Sequence, residues 1–275
     1  MKTHPQNGFT LVEMAIVMFV MALMLGTGLT VLSAQQDQRR IEETTTNLDE
    51  AREALIGFAI TNVRLPCPAS AASGGLESFC TSATGICTET TTLQTHGRCA
   101  KPYDGFIPAV TLGIAPINTQ GQLFDTWKNP VRYAITNAND ASNIFYFSAS
   151  PDGIRTRWNS GIMPAPDLRV CSTSTGLTYA TPDSAECATG RTLTNNGVAV
   201  IYSLGKNFIN GGRNGDEAHN PNPNQPVAIP SDRAFVFHEA TPAEAVTMNG
   251  EFDDQLIWLS QYTLFNRMVQ AGKLP

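Results

Sequence analysis

The chain predicts an α+β protein: a long N-terminal helix packed on an antiparallel β-sheet head, with disulfide-stapled loop insertions. Three observations carry this. Residues 14–32 hold no charged side chain, and a mixed-charge helical stretch follows. Short β-branched segments then alternate with Gly-, Asn- and Pro-rich turns. All six cysteines (Cys67, Cys80, Cys87, Cys99, Cys171 and Cys187) lie beyond the helix.

The apolar run spans about 28 Å as a helix, close to the thickness of a bilayer's hydrocarbon core. It reads as a transmembrane helix. Lys2 without an acid in the short leader favours a cytoplasmic N-terminus. A carboxylate four residues into such a helix, Glu13, costs a few kcal/mol in lipid unless it is paired. From Ser33 to Thr61 both charge signs mix. Ile41, Leu48 and Leu55 recur every seven residues, with Ala51 and Phe58 nearby. That is one apolar stripe on a solvated helix; three repeats are too few to argue a coiled coil. One helix from about Phe9 to about Thr61 would be roughly 80 Å long, ending before Pro66 and Pro68.

The head is loop-rich. Residues 69–100 read as an irregular loop. Val131–Ile135 and Ile144–Ser148 read as an antiparallel strand pair, and Val198–Leu204 is the strongest strand. Phe235–Phe237 and Leu256–Leu259 are shorter strands. Tyr262–Ala271 has helical spacing, and Gly272 can cap its end. Six cysteines allow 15 pairings. Cys171 and Cys187 stand apart and are expected to pair with each other, leaving the first four to pair among themselves. A zinc cluster is the alternative, but no CxxC pair occurs.

Gly8-Phe9-Thr10-Leu11-Val12-Glu13 at the mouth of the apolar run resembles the processing motif of type IV prepilins and type II secretion pseudopilins. The resemblance implies cleavage after Gly8 by a prepilin peptidase, methylation of Phe9, and pairing of Glu13 with the Phe9 amine of a neighbouring subunit. A plain signal anchor with a stray acid is the competing reading. Asp125-x-Trp127-x-Asn129-Pro130-x-x-Tyr133, Leu65-Pro66-Cys67-Pro68, Ser203–Asn207 and Asp253-Asp254-x-Leu256-Ile257 also resemble pseudopilin segments, with Lys128 where that family usually has glycine. The implied organisation is a leader at 1–8, a transmembrane and filament-core half-helix at 9–32, an amphipathic half at 33–61 and a periplasmic head at 62–275. Localisation would be the inner membrane, single-pass, then the filament. Implied partners are the peptidase, other pilin or pseudopilin subunits, the inner membrane and its assembly platform.

The loop from Gly205 to Asn220 holds oxygen donors among glycines. That suits Ca²⁺, with Asn207, Asp216, Asp253 and Asp254 as the candidate ligands; a tight turn that binds nothing is the alternative. Net charge is −6 with no basic block, so no nucleic-acid partner is expected. No GxSxG, HExxH or P-loop occurs, and the chain reads as a structural subunit, not an enzyme. The head's size favours a minor subunit. A tip adhesin contacting substrate through its stapled insertions is the second reading, and a membrane-anchored periplasmic enzyme the third.

Overall fold

A computed structural model describes residues 10–178, 181, 184–209, 215–222, 232–241 and 250–275, with residues 24–34 as backbone only. By contacts the chain divides into two compact units, Met1–Glu43 and Thr44–Pro275.

The first unit holds the opening part of helix α1, which runs over Leu11–Asn62. Leu, Met and Ala dominate its first turns, and all three are strong helix formers. Its described side chains from Leu11 to Leu23 are all exposed. Among the described residues no helix is long and apolar enough to cross a membrane. The expected transmembrane helix at 9–32, and with it the single-pass inner-membrane localisation, is therefore corrected. Glu13, a carboxylate, sits among the apolar side chains from Leu11 to Leu23, where a hydrocarbon layer tolerates no unpaired charge without cost.

The second unit starts with the rest of α1. Leu48, Ala51, Leu55, Ile56 and Ala59 are buried in the main core. Their three- and four-residue spacing follows the 3.6 period of a helix packed along one face. The helix ends at Asn62. Val63 then turns left-handed at φ 53° while its N–H still bonds the Ala59 carbonyl.

The sheet is built around β6 (Thr192–Ser203). It pairs antiparallel with β4 (Arg132–Ile135), β5 (Leu168–Cys171) and β8 (Gln255–Ser260). The short β3 (Gly105–Phe106), followed by the one-turn helix α2 (Ala109–Leu112), adds to β4, and β7 (Ala234–Val236) adds to β5 in parallel. Ala199 and Ile201 face α1 and the C-terminal helix α4 (Gln261–Gln270), while Val200 and Tyr202 enter a second core with Leu168, Val170 and Phe235. A register shift between Gly197 and Ala199 lets Val198 join Ala199 in the first core. Both faces of the second half of β6, residues 198–203, are thus covered, which is why that stretch is almost continuously apolar, while the mostly polar half at 192–196 is more open.

One expected strand is absent. Ile144–Ser148 forms turns, with Ser148 N–H and Ala149 N–H both donating to the Phe145 carbonyl. It cannot pair with β4, because β3 and β6 occupy both β4 edges. Its aromatic residues are buried all the same, Phe147 stacking on Phe265 of α4.

The disulfides are Cys67–Cys99, Cys80–Cys87 and Cys171–Cys187. The first two staple a segment with a small hairpin, β1 (Phe79–Cys80) on β2 (Glu89–Thr90). Arg64, just after α1, anchors it by a buried bidentate pair to Glu77 at 2.6 and 2.9 Å. Helix on sheet with disulfide-bonded insertions is a pilin-like α+β fold.

Candidate functional site

Two places bring chemistry-bearing residues together. At the start of α1, Gly8 and Phe9 lie outside the described residues, but Glu13 and Thr10 are placed. The Thr10 N–H and hydroxyl each donate to Glu13 Oε2 at 2.8 Å, and the Glu13 N–H donates to Thr10 Oγ1 at 3.2 Å. This is a capping box, in which Thr10 begins the helix and Glu13 closes the reciprocal bond. The Thr10 N–H and then its hydroxyl hold the Glu13 carboxyl below its usual range, so it stays ionised. The Thr-x-x-Glu spacing was the signal for this local role, and the sequence reading spent that glutamate only on a neighbour.

The second place is on the head, where β6 ends and β8 begins. Glu217, Asp253 and Asp254 bring one oxygen each within 4.8 Å of one another. A 3-10 turn at Glu217–His219 aims the first, and the segment leading into β8 aims the other two. Asn207 donates its amide to Glu217 at 3.0 and 3.2 Å, and the Asp253 N–H donates to Glu217 Oε1 at 2.6 Å. Lys206 and Asn207 N–H groups donate to Asp253 Oδ2 at 2.9 and 3.1 Å, and Asn220 donates to Asp254 at 2.7 Å. Asn207 Oδ1 and Asp253 Oδ1 are buried without a hydrogen-bond partner among the described residues. A Cβ on Gly205 would stand 2.2 Å from Asp253 Oδ1, so only glycine, here at φ 62°, leaves that carboxylate its place.

Electrostatics fits a cation. Burial, then the charge of Glu217, pushes Asp253 up to about 7 and Asp254 well above the usual carboxylate range. Burial raises Glu217 as well. Three clustered acids each disfavour one another's charge unless a cation or a proton intervenes. The cluster could thus hold a metal ion through oxygen ligands. Of the four expected ligands, Asp253 and Asp254 are in it and Asn207 borders it. Asp216 is elsewhere: it accepts from Ser174 N–H at 2.5 Å and the Thr173 hydroxyl at 3.1 Å, beside Cys171–Cys187, and faces His238 Nε2 at 3.2 Å. Glu217, one residue on, supplies the missing carboxylate.

The Asp125–Pro130 turn braces this site. Asp125 Oδ1 accepts the Trp127 and Asn129 N–H groups, and its Oδ2 accepts the Ser203 hydroxyl at 2.6 Å. Asn129 donates its amide to the Gly205 carbonyl at 2.6 Å. Two segments far apart in sequence, 125–130 and 203–205, are one hydrogen-bonded unit. Lys128 takes the left-handed φ of 71° that glycine would take freely, with Nζ 4.3 Å above the Phe124 ring. Trp158 packs edge-on against Phe265, with ring centroids 5.3 Å apart.

Compared with known proteins, residues 3–29 match the family model described as a prokaryotic N-terminal methylation motif. No curated protein and no solved structure matches the chain. The motif is that of type IV pilins and pseudopilins. Together with the helix-on-sheet architecture it supports a structural, non-enzymatic filament subunit, whose general partners are a processing peptidase, other pilins and assembly machinery.

Proposed function

We propose that the chain is a minor subunit of a type IV pilus or type II secretion filament, assembled through the first part of α1. One observation carries this reading. Within the methylation motif stand apolar side chains that its own unit leaves open, with Leu11 87%, Met18 64% and Phe19 66% exposed. Bundling with like helices would bury them, at about 25 cal/mol per Å² of apolar surface removed from water. Cleavage after Gly8 would free the Phe9 amine, and a neighbour's amine is the cation that suits the ionised Glu13 and sets axial register. A head that starts at Thr44 and holds most of the chain is bulky to repeat along a packed filament and simple to place at its tip.

The acidic cluster, in this reading, takes Ca²⁺. Its donors are all oxygens and include carboxylates and an amide, a set that hard cations favour.

The test is Glu13→Ala. The head should keep its near-UV circular dichroism and melting temperature, while the protein disappears from sheared filaments. Incorporation at the wild-type level would refute the pairing.

A further inference from the structure

Away from the acidic cluster, a cleft of about 310 Å³ opens beside the short helix α3 (Gly153–Asn159) and the segment stapled by Cys67–Cys99. Arg157 lies in its wall, half-buried, with its guanidinium 5.3 Å above the Tyr146 ring. No carboxylate pairs with Arg157 among the described residues, and its Nε is buried without a hydrogen-bond partner. Asp140, the acid among the lining residues, turns its Oδ1 to the Ser142 and Ile144 N–H groups at 2.9 and 3.1 Å and makes no ion pair with Arg157 among the described residues. Neighbouring Arg155 shows the contrast, since it pairs with Asp152. A guanidinium offers a planar fork that fits a carboxylate, and leaving it unpaired in a half-buried site is costly.

The rest of the cleft narrows the ligand. Ile144, Ala149 and Pro151 supply an apolar wall, and Thr156 supplies a hydroxyl. Tyr146 is only 6% exposed and its face is taken by Arg157, so no open aromatic platform exists for a sugar ring. The volume admits one or two residues of a chain, not a folded surface. We propose that this cleft binds the C-terminal carboxylate of an extended polypeptide: Arg157 clamps the carboxylate and the apolar wall receives the last side chain. Binding there does not depend on the filament reading.

Isothermal titration of the full chain in detergent with N-acetyl-Ala-Leu-Val as the free acid, and with its C-terminal amide, tests this on the unaltered protein. The acid should bind and the amide should bind about ten-fold more weakly or worse, as expected for loss of a charge-assisted pair. Arg157→Gln should bring the acid down to the amide's level, and Arg155→Gln should leave the difference intact. Equal binding of acid and amide, or no heat from either, overturns the proposal. So does an oligogalacturonate that binds through Arg157 where the peptide acid does not.

Discussion

The two ends of one helix treat their apolar residues in opposite ways. In the first unit, Leu11 to Leu23 leave their side chains exposed. In the second, Leu48, Leu55 and Ala59 are 1%, 0% and 0% exposed, sealed by β6, β8 and α4. The difference teaches that one helix carries both a covered and an uncovered apolar stretch among the described residues, the first sealed within the chain. Propensity cannot separate them, since both stretches are good helix. Only the presence or absence of a covering sheet does.

Truncating each half should separate the two roles most sharply. Leu55→Ala leaves a cavity and should cost about 2–5 kcal/mol of unfolding free energy. Phe19→Ala should leave head stability within about 0.5 kcal/mol while lowering filament yield. Urea melts of both variants check the first half of the comparison, and equal destabilisation would break it. Whether the head's independence rests on its core or on its staples is the next question. Removing Cys171–Cys187 as a double serine variant should cost about 3 kcal/mol by the loop-entropy argument, with the exposed half of α1 unaffected. A loss near zero would assign the head's stability to the apolar core alone.

A smaller effect concerns pH and calcium. Asp253 at about 7 and Asp232 at about 6 keep protons in the folded state that an unfolded aspartate gives up near 4. The folded form therefore binds more protons between about pH 4 and 7, and metal-free stability should fall as pH rises through that window. Calcium, which needs the ionised cluster, should offset this above pH 7, by about 2.7 kcal/mol at a hundred times Kd, and do little at pH 5. A melting temperature indifferent to Ca²⁺ and chelator at pH 7.5 would dispose of the site. The smallest expected change is Lys128→Gly. Relief of the left-handed backbone should outweigh the lost contact with Phe124 and raise stability by about 0.5 kcal/mol. Destabilisation would show that the cation over Phe124 matters more.

Much of this was legible in residues alone. The β-branched run at 198–204 is the centre of the sheet, and Pro66 and Pro68 mark the turn out of α1. Ile144–Ser148 misled because aromatic, β-prone residues bury equally well in turns once β4 has no free edge. Glu217 was passed over as a ligand in favour of Asp216. Adjacent acids on a 3-10 turn point to different sides, one to Asp253 and the other to Thr173, and spacing in sequence does not say which. The apolar stretch does not stand as a membrane span, since among the described residues no helix is long and apolar enough to cross a bilayer.

Sequence by itself determined the processing motif, the helix it opens, and the oxygen-rich loop, since these depend on residue type and local spacing. The tertiary structure decided which apolar stripe is covered, which edges of β4 are taken, how the Asp125 turn braces Gly205, and that Arg157 meets no acid among the described residues. Those outcomes rest on contacts between residues far apart in the chain, and neither propensity nor periodicity encodes who meets whom.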